Sequence, residues 1–526
     1  MSPTTRRLLA AVVATAATLT AQPAGAESIP ERTLRISDTP GRQAATGQSS
    51  HPSISPKGGL VAFDSTAPDL ATDGNGPVRD VFLRDTDSGT TRLISAPFEG
   101  GTADGPSDQP ALAGTDVVVF ASTATNLVAG DRNGFADVFI RGGISAPVRI
   151  SAPRRGEADG DSGQPDISRD GQVIVFSSTA TNLVAGDTNG VSDIFAVDLG
   201  DGRLRRISVA RGGEQATGAS VNPSLSPDGR YVSFASAADD LVRGDRNGVA
   251  DVFLADLETG RIERVSVDSR ERAQNRAVVA PFTQVSDVSE NARVVVFDSD
   301  ATNLVRSDRN QDTDVFVRDR RSGTTRRASI TTTGRQGTND SFAPSVTSSG
   351  RYVAFESFAD DMAPGDAGGE DIFVRDLRRK TTVVADVTSR GGFPRGPERI
   401  RQLLQRPAIA DDARLVAFTS SADNLVAGDA NRTEDVFVRV LAAPFGGFAR
   451  APRKVERTRR PRVRFVADDR AARIFLCSID GVRRYCGRRT RLPRLKPGPH
   501  VLRASAGGPG MLYSTRTSVR RFRIAP

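Results

Sequence analysis

The chain has 526 residues, more than a single hydrophobic core organises, so its length predicts several domains or a repeat architecture. With 37% hydrophobic and 25% charged residues, the composition excludes an intrinsically disordered chain. Charge is unevenly distributed: residues 27–446 carry 47 basic and 59 acidic side chains, whereas residues 447–526 carry 22 basic and 4 acidic ones. An acidic body is therefore followed by a strongly basic tail.

The first 26 residues have the pattern of a secretory signal peptide. Arg6 and Arg7 precede an apolar, uncharged run over 8–19, and a small-residue cleavage site follows at 24–26. The run is too short to cross a membrane, and no later segment approaches 18 apolar residues. The paired arginines leave both the general secretory and the twin-arginine route open. The sequence thus predicts a signal peptide over 1–26 and a secreted, extracytoplasmic protein without a transmembrane segment.

A repeat of roughly 57 residues fills the region 33–440. Seven β-branched runs end in a phenylalanine, at Phe63, Phe120, Phe176, Phe234, Phe297, Phe355 and Phe418. Each run is followed by a leucine or methionine and then by Asp-Val-Phe or Asp-Ile-Phe, ending at Phe82, Phe139, Phe195, Phe253, Phe316, Phe373 and Phe437. Each unit holds four short candidate strands separated by turn residues, without helical periodicity. This pattern predicts an all-β, seven-bladed β-propeller with four-stranded blades.

The two ends of the repeat region complement each other. The seventh unit ends after 435–440 and lacks a fourth strand. An unassigned segment at 33–37, Thr-Leu-Arg-Ile-Ser, matches the fourth-strand pattern of Arg149-Ile150-Ser151. We therefore predict that this N-terminal strand completes blade seven and closes the ring, which leaves no open sheet edge.

One segment carries a family resemblance. Residues 226–234, Ser-Pro-Asp-Gly-Arg-Tyr-Val-Ser-Phe, resemble the signature of the WD-like, TolB-type propeller repeats of exported bacterial proteins. The resemblance covers about 33–440 and implies the propeller fold. That superfamily includes partner-binding, protease-associated and lyase propellers, so the resemblance implies no single activity.

The loop between the second and third strands of a unit is rich in aspartate. Three units share the pattern Asp-x-Asn-Gly-x-x-Asp, with Asp131, Asn133 and Asp137, then Asp187, Asn189 and Asp193, then Asp245, Asn247 and Asp251. In a four-stranded meander these loops emerge on the same face as the blade-to-blade connections, where we expect a ring of carboxylates. One interpretation is calcium, the only cofactor that the sequence offers, because hard oxygen ligands cluster in a tight turn. The other is structural, with the aspartates accepting backbone N–H bonds in Asx-type turns.

Residues suited to catalysis are few. The chain has two histidines, too few for the multi-histidine metal site of a lyase propeller, and a Ser-His-Asp triad would need one of them. We expect His51 to lie in a surface loop and His500 to be structural. The many aspartates leave hydrolysis by a carboxylate pair open.

The tail is predicted to be a separate domain, with a linker over 441–460 and a basic β-sandwich over 461–526. Cys477 and Cys486, the only cysteines of an exported chain, predict a disulfide. The pattern Phe-Leu-Cys-Ser-Ile-Asp-Gly over 475–481, continued to His500, resembles small Ig-like domains of bacterial surface proteins, which implies the sandwich. The net charge of +18 over 447–526 predicts an anionic cell-wall polymer as partner. A solvated arginine-rich face and docking on the acidic propeller are the alternatives, and no motif for specific nucleic-acid binding accompanies the charge.

Two functions fit these features. The first is an exported, non-catalytic propeller at the cell surface that binds a protein or glycan ligand through its aspartate-rich face or central channel. The second is an extracytoplasmic hydrolase acting on a glycan or a peptide.

Overall fold

The computed structural model describes most of the chain after residue 32, namely residues 33–71, 76–276, 284–363, 366, 369–388, 391–395, 406–411, 413–429, 431–441, 446–450, 455–456, 458–467, 474–487, 489–507 and 518–525. The predicted signal peptide lies outside these residues. Within them, the regular structure is β-strand except for one short 3₁₀ helix at Glu290–Ala292. No helix in this part of the chain is long and apolar enough to cross a membrane.

Residues 33–440 form seven four-stranded antiparallel sheets, one for each predicted repeat. The inner strands of the blades are Ser49–Ile54, Ser107–Leu112, Ser162–Ile167, Ser220–Leu225, Ser286–Val288, Ser341–Val346 and Ala408–Ile409. The second strands are Leu60–Ser65, Val117–Ser122, Val173–Ser178, Tyr231–Ser236, Val294–Ser299, Tyr352–Ser357 and Leu415–Ser420. The third strands are Asp80–Asp85, Asp137–Gly142, Asp193–Asp198, Asp251–Asp256, Asp314–Asp319, Asp371–Asp376 and Asp435–Val440. The outer strands of blades one to six are Thr91–Leu93, Val148–Arg149, Arg203–Arg206, Ile262–Arg264, Thr324–Arg327 and Thr381–Val384.

The outer strand of blade seven comes from the N-terminal end of the repeat region, as the sequence predicts. Thr33–Arg35 pairs antiparallel with Asp435–Val440, with Leu34 opposite Val438. The Ile36 N–H donates to the carbonyl of Val436 at 2.7 Å and extends this pairing. The ring is therefore closed by a sheet composed of both ends of the repeat region.

Buried phenylalanines fix the spacing of the two middle strands in every blade. The phenylalanine of the second strand lies directly opposite that of the third, with ring centroids 5.7 to 6.0 Å apart in all seven blades. Buried apolar clusters fill the seven interfaces between neighbouring blades. One of them joins Ile36 and Val438 of blade seven to Phe63 and Phe82 of blade one. Because each blade buries its faces against both neighbours, no blade is a separate folding unit.

Arginines of the third strand add polar links between blades. Arg141 donates to the carbonyls of Ile94 and Ala96 in the preceding blade, both at 2.8 Å. Arg439, which is only 1% exposed, donates to the carbonyl of Thr388 at 3.3 Å in the same way. Backbone carbonyls of one blade thus accept hydrogen bonds from a neighbouring blade.

The basic tail is a β-sandwich of a three-stranded and a five-stranded sheet. The first contains Gly446–Arg450, Arg462–Ala467 and Arg489–Arg491. The second contains Val455–Glu456, Ile474–Ile479, Val482–Gly487, Gly498–Gly507 and Ser518–Ile524. The strands at 446–450 and 455–456 lie inside the segment 441–460 that the sequence predicts to be a linker. That boundary is wrong, because backbone pairing to later strands makes these residues part of the sandwich.

Replacing Ile36 by alanine tests the contribution of ring closure to stability. Ile36 is 3% exposed and packs between blades seven and one, so we expect the free energy of unfolding to fall by about 3 kcal/mol. The measurement is the midpoint of chemical denaturation. Ile144→Ala is the matched control, since Ile144 is 89% exposed and its replacement should leave the midpoint nearly unchanged. Equal effects of the two substitutions would contradict the closure.

Candidate functional site

The aspartate loops lie on the face of the propeller that carries the blade-to-blade connections, here called the loop face. Asn133 donates to the carbonyl of Ala158 at 3.2 Å, and Ala158 belongs to the connection into the next blade. The corresponding asparagines, Asn247 and Asn431, donate to such connections at 3.1 and 2.9 Å. These contacts place the loops of blades two, four and seven on one face, as the sequence predicts, and each of these three loops also contacts the connection to the following blade.

In blades two to five, an arginine of the outer strand lies between the two aspartates of the loop. Arg149 Nη1 is 3.1 Å from Asp131 Oδ1 and 3.1 Å from Asp137 Oδ2. The same arrangement joins Arg206 to Asp187 and Asp193, Arg264 to Asp245 and Asp251, and Arg327 to Asp308 and Asp314. We call this arrangement the Asp–Arg–Asp clamp. It holds the nine predicted calcium ligands in three separate loops, one for each of blades two to four.

The repeats provide an internal comparison that links the arginine to the loop. In register, the clamp arginine is opposite the phenylalanine of the third strand, as Arg149 is opposite Phe139. Blades one and six have Leu93 and Val384 at this position, and these are the two blades whose loop sequences depart from the common spacing. Arginine and the spaced aspartates therefore occur together or not at all.

The guanidinium supplies a positive charge where a calcium ion would lie. Burial, together with the charges of Asp137 and Glu157, raises the pKa of Asp131 to about 6, although Arg149 acts in the opposite direction. Among the described residues, no group of three or more histidine, cysteine or acidic side chains could hold a metal ion. Calcium binding thus remains a hypothesis that requires an ion to displace a guanidinium. The clamp geometry favours the structural interpretation of the loops.

Replacing Arg149 by leucine, the residue that blade one has there, separates the two interpretations. The substitution leaves the buried Asp131 and Asp137 without their shared cation, so we expect a loss of about 3 kcal/mol in stability. If the arginine takes the place of calcium, millimolar Ca²⁺ should raise the melting temperature of this variant but not that of the wild type. The exposed Arg132→Leu in the same loop is the control. A chelator-sensitive melting temperature of the wild type would instead support a native calcium site.

A cavity lies on the propeller axis and is lined by residues of all seven blades. Its volume is about 240 Å³. Four lining residues, His51, Gln109, Gln164 and Asn222, immediately precede a proline and have left-handed backbone, with φ between 49° and 54°. Each lies at a β-bulge in its inner strand. A β-bulge changes the direction of a side chain, and here the side chains point towards the axis. Left-handed backbone at residues other than glycine is strained, and such residues cluster at functional sites.

Hydrogen bonds between blades fix the amide side chains that line the cavity. Gln109 Oε1 accepts the N–H of Gln164 at 2.7 Å, and Gln164 Oε1 accepts the N–H of Asn222 at 2.9 Å. Asn222 in turn donates to the carbonyl of Gln284 in blade five at 3.1 Å. The lining is therefore preorganised by the ring itself rather than by flexible loops.

Two carboxyl groups of the cavity lie near one hydroxyl. Ser224 Oγ is 2.9 Å from Asp287 Oδ1 and 3.4 Å from Asp166 Oδ2. Each carboxyl also accepts a backbone N–H of the next blade at 2.7 Å. Burial raises the pKa of Asp166 to about 6 and also raises that of Asp287, whereas the charge of Arg406 lowers both. Arg406 lines the same cavity and donates to the carbonyl of Ser286 at 3.2 Å.

His51 lies in the inner strand of blade one and lines the axial cavity, so its predicted surface-loop position is wrong. Its Nδ1 is 2.7 Å from Asp64 Oδ2, and Arg79 contacts the other oxygen of that carboxylate. Burial opposes both charges, but the attraction between them raises the pKa of His51 and lowers that of Asp64. The prediction fails because the inner strand continues through the β-bulge at His51-Pro52. A proline in the sequence argues against a strand at that position.

The end of the channel opposite the loop face is crossed by an ion-pair cluster. Arg169, in a turn of blade three, contacts Asp411 of blade seven at 2.5 Å and Glu290 of blade five at 3.8 Å. These three blades are not neighbours, so the contacts cross the axis. The loop face lies at the other end of the channel. There a second cavity, of about 480 Å³ between blades two and three, shares Gln109 and Gln164 with the first.

Cys477 and Cys486 lie on paired strands of the sandwich and are both buried. They are present as thiols, and Cys477 Sγ donates to the carbonyl of Phe475 at 3.8 Å. Their mutual interaction raises the pKa of Cys477 and lowers that of Cys486. The predicted disulfide is therefore not formed here, although the two side chains are adjacent. It remains a prediction for the exported, oxidised protein.

Known proteins resemble the chain only at low sequence identity. Neither a family model nor a curated protein sequence matches the chain. An oligogalacturonate lyase from Vibrio parahaemolyticus is 11% identical with a TM-score of 0.46, and the match covers 80% of this chain and 99% of that one. TolB from Acinetobacter baumannii is 12% identical with a TM-score of 0.35, and the match covers 84% and 91%.

A third match, a putative TolB from Agrobacterium tumefaciens, is 14% identical with a TM-score of 0.33 and covers 79% of this chain and 100% of that one. At such identities the likeness concerns the fold alone. The seven repeated four-stranded sheets make residues 33–440 a seven-bladed β-propeller, the fold that the repeat sequence predicts.

The raised pKa values of two buried carboxyls, Asp166 in the cavity and Asp298 in the second strand of blade five, predict a pH dependence of stability. The pKa values of Asp166 and Asp298 are raised by burial to about 6, above the roughly 4 of an unfolded aspartate. Folding therefore favours the protonated forms, and their contribution is complete below pH about 4 and lost as the pH rises through about 6. We expect Asp166→Asn to reduce the difference in denaturation midpoint between pH 5 and pH 7.5. An unchanged difference, equal to that of the exposed Asp87→Asn, would contradict the assignment.

Proposed function

We propose that this protein is an exported, non-catalytic binding propeller whose axial cavity receives a small polyhydroxylated ligand, such as a terminal sugar of a cell-surface glycan. The observation that carries the proposal is the cavity lining, in which carboxyl, amide, guanidinium and hydroxyl groups converge from all seven blades. Ligand sites combine a preformed concave shape with a few fixed polar groups, and this cavity has both.

The chemistry of the lining matches hydroxyl groups. A hydroxyl donates one hydrogen bond and accepts two, so it needs acceptors and donors at close range. Asp166 and Asp287 supply acceptors, and Arg406 supplies donors beyond its single bond to Ser286. The backbone N–H groups that hold the two carboxyls leave further lone pairs for a ligand. The volume of about 240 Å³ is at the small end for ligand cavities, which suits one sugar ring.

An extracytoplasmic hydrolase of a glycan or peptide is the second candidate, and one observation favours it. Asp166, with a pKa near 6, lies beside Asp287 across the Ser224 hydroxyl. Glycoside hydrolases use one protonated and one ionised carboxyl on either side of the scissile glycosidic bond. We rank the hydrolase second because each carboxyl accepts a hydrogen bond from a backbone N–H of the next blade. These bonds hold both carboxyls in one orientation and give them a structural role.

Location outside the cytoplasm is part of the proposal. It is supported by the signal-peptide pattern at 1–26 and by the two-cysteine sandwich, whose disulfide would form in an oxidising compartment. Among partners, the axial cavity suits a glycan end group better than a protein segment.

Screening the mature protein, residues 27–526, on a glycan array and measuring each hit by calorimetry tests the proposal. Arg406→Gln should weaken binding about 10-fold or more, the value of one charge-assisted hydrogen bond. Arg132→Gln, an exposed arginine on the loop face, should change it less than twofold. Binding that Arg406→Gln leaves unchanged would refute the axial site.

The same hits distinguish the two candidate functions. Incubation with the wild-type protein followed by mass spectrometry should recover each glycan intact. Cleavage that disappears in both Asp166→Asn and Asp287→Asn would replace the binding function by the hydrolase.

A further inference from the structure

A second site, independent of the axial cavity, lies on the outer face of the three-stranded sheet of the sandwich. Arg462 pairs directly with Arg491, and Arg464 pairs directly with Arg489. All four arginines are exposed, whereas Val463 and Phe465 on the same strand are buried in the sandwich core. The alternation of a β-strand therefore places two arginine pairs side by side on one surface, which we call the arginine grid.

The grid is an arrangement that folding alone does not favour. Like charges directly opposite each other on neighbouring strands repel and destabilise a sheet. None of the four guanidinium groups forms an ion pair with a residue that the structure describes, in contrast to the clamp arginines of the propeller. A sheet face that concentrates four unneutralised cations is suited to an external anion, which removes the repulsion when it binds.

The grid faces away from the contact between the sandwich and the propeller. That contact is made by the other, five-stranded sheet: Leu476 packs against the cluster between blades six and seven. Arg483 Nη1 donates to the carbonyls of Arg379 and Lys380 at 2.8 and 3.0 Å. Leu476 and Arg483 lie on the outward side of their sheet, because the intervening Cys477 and Ile479 are buried. The acidic propeller therefore does not cover the grid, and the docking alternative applies to the opposite sheet.

The spacing of the grid defines the kind of anion. Residues two apart on a strand are separated by about 6.7 Å, and directly paired residues by about 5 Å. A guanidinium binds phosphate through two parallel N–H bonds, which lysine cannot do. A linear polymer with one phosphodiester every 6 to 7 Å (roughly the strand spacing) could contact both arginine pairs in succession.

We propose that the arginine grid binds a linear phosphodiester polymer of the cell envelope, of the polyol-phosphate type. The surroundings argue against the other polyanions. Among the residues of the sandwich whose exposure the structure describes, the exposed large apolar ones, Val482 and Val519, belong to the other sheet, so neither of them lies beside the grid to enter a membrane. No exposed aromatic side chain lies among the described residues of the grid strands, although single-stranded nucleic acids are held by such stacking.

Binding of a synthetic poly(glycerol phosphate) oligomer to the full mature protein, measured by calorimetry at several salt concentrations, tests the proposal. The double variant Arg464→Gln, Arg489→Gln should bind at least 10-fold more weakly and show a smaller salt dependence. The control is Arg503→Gln, Arg521→Gln, which removes the same charge from exposed positions of the other sheet and should cost less than threefold. The grid variant should melt at the same or a higher temperature than the wild type, because a repulsive pair is relieved.

Three results would overturn the proposal that the grid binds a phosphodiester polymer. Equal weakening of oligomer binding in the two double variants would show that binding depends on net charge and not on the grid. Duplex DNA, or vesicles of anionic lipid, bound as tightly as the oligomer at equal phosphate concentration would assign the surface to another class of partner. No measurable binding of the oligomer at low salt would remove the site. None of these results bears on the axial cavity, since the two sites lie in different domains.

Discussion

Pairing between Thr33–Arg35 and Asp435–Val440 is the interaction on which the rest of the molecule depends. Each of the seven interblade clusters is shared by two blades, so an open ring would expose the apolar faces of blades one and seven together. The closing strand also brings Arg35 to within 3.2 Å of Asp429, the first aspartate of the loop in the last blade. Ring closure therefore depends both on core packing and on charge pairing. A cavity bounded by seven inner strands exists only in the closed ring.

Structural and functional positions behave differently across the seven repeats. The paired phenylalanines are unchanged in every copy, and the clamp arginine accompanies its two aspartates, because each serves the same local purpose in its blade. The residue before the inner-strand proline differs: it is His51, Gln109, Gln164, Asn222, Ala343 or Arg406. A ring of identical side chains would present a symmetric surface, whereas a ligand without sevenfold symmetry needs an asymmetric lining. Variation at one fixed repeat position is therefore what the binding role proposed for the axial cavity requires.

The sequence predicts the architecture because phenylalanine spacing and the incomplete final unit are local patterns. It predicts the position of the aspartate loops but not their chemistry, since Arg149 is 12 residues beyond Asp137 and reaches it only through strand pairing. The cavity is harder to predict. His51 resembles a loop residue, and neither its left-handed backbone nor its pairing with Asp64 follows from the neighbouring residues. Contacts such as that between Arg169 and Asp411 join residues in non-adjacent blades, so only the closed ring reveals them.

Native-state hydrogen exchange of two equivalent amides tests closure most directly. The Ile36 N–H donates to Val436 across the closing pair, and the Ile150 N–H donates to Val138 within blade two, both at 2.7 Å. If the N-terminal strand belongs to the cooperative ring, both amides should exchange only through global unfolding, with opening free energies within about 1 kcal/mol of each other. If the Ile36 amide exchanged through a local opening whose free energy is several kcal/mol (roughly 3 or more) lower than that of Ile150, the account would be contradicted. The N-terminal strand could then detach while the rest of the propeller stayed folded.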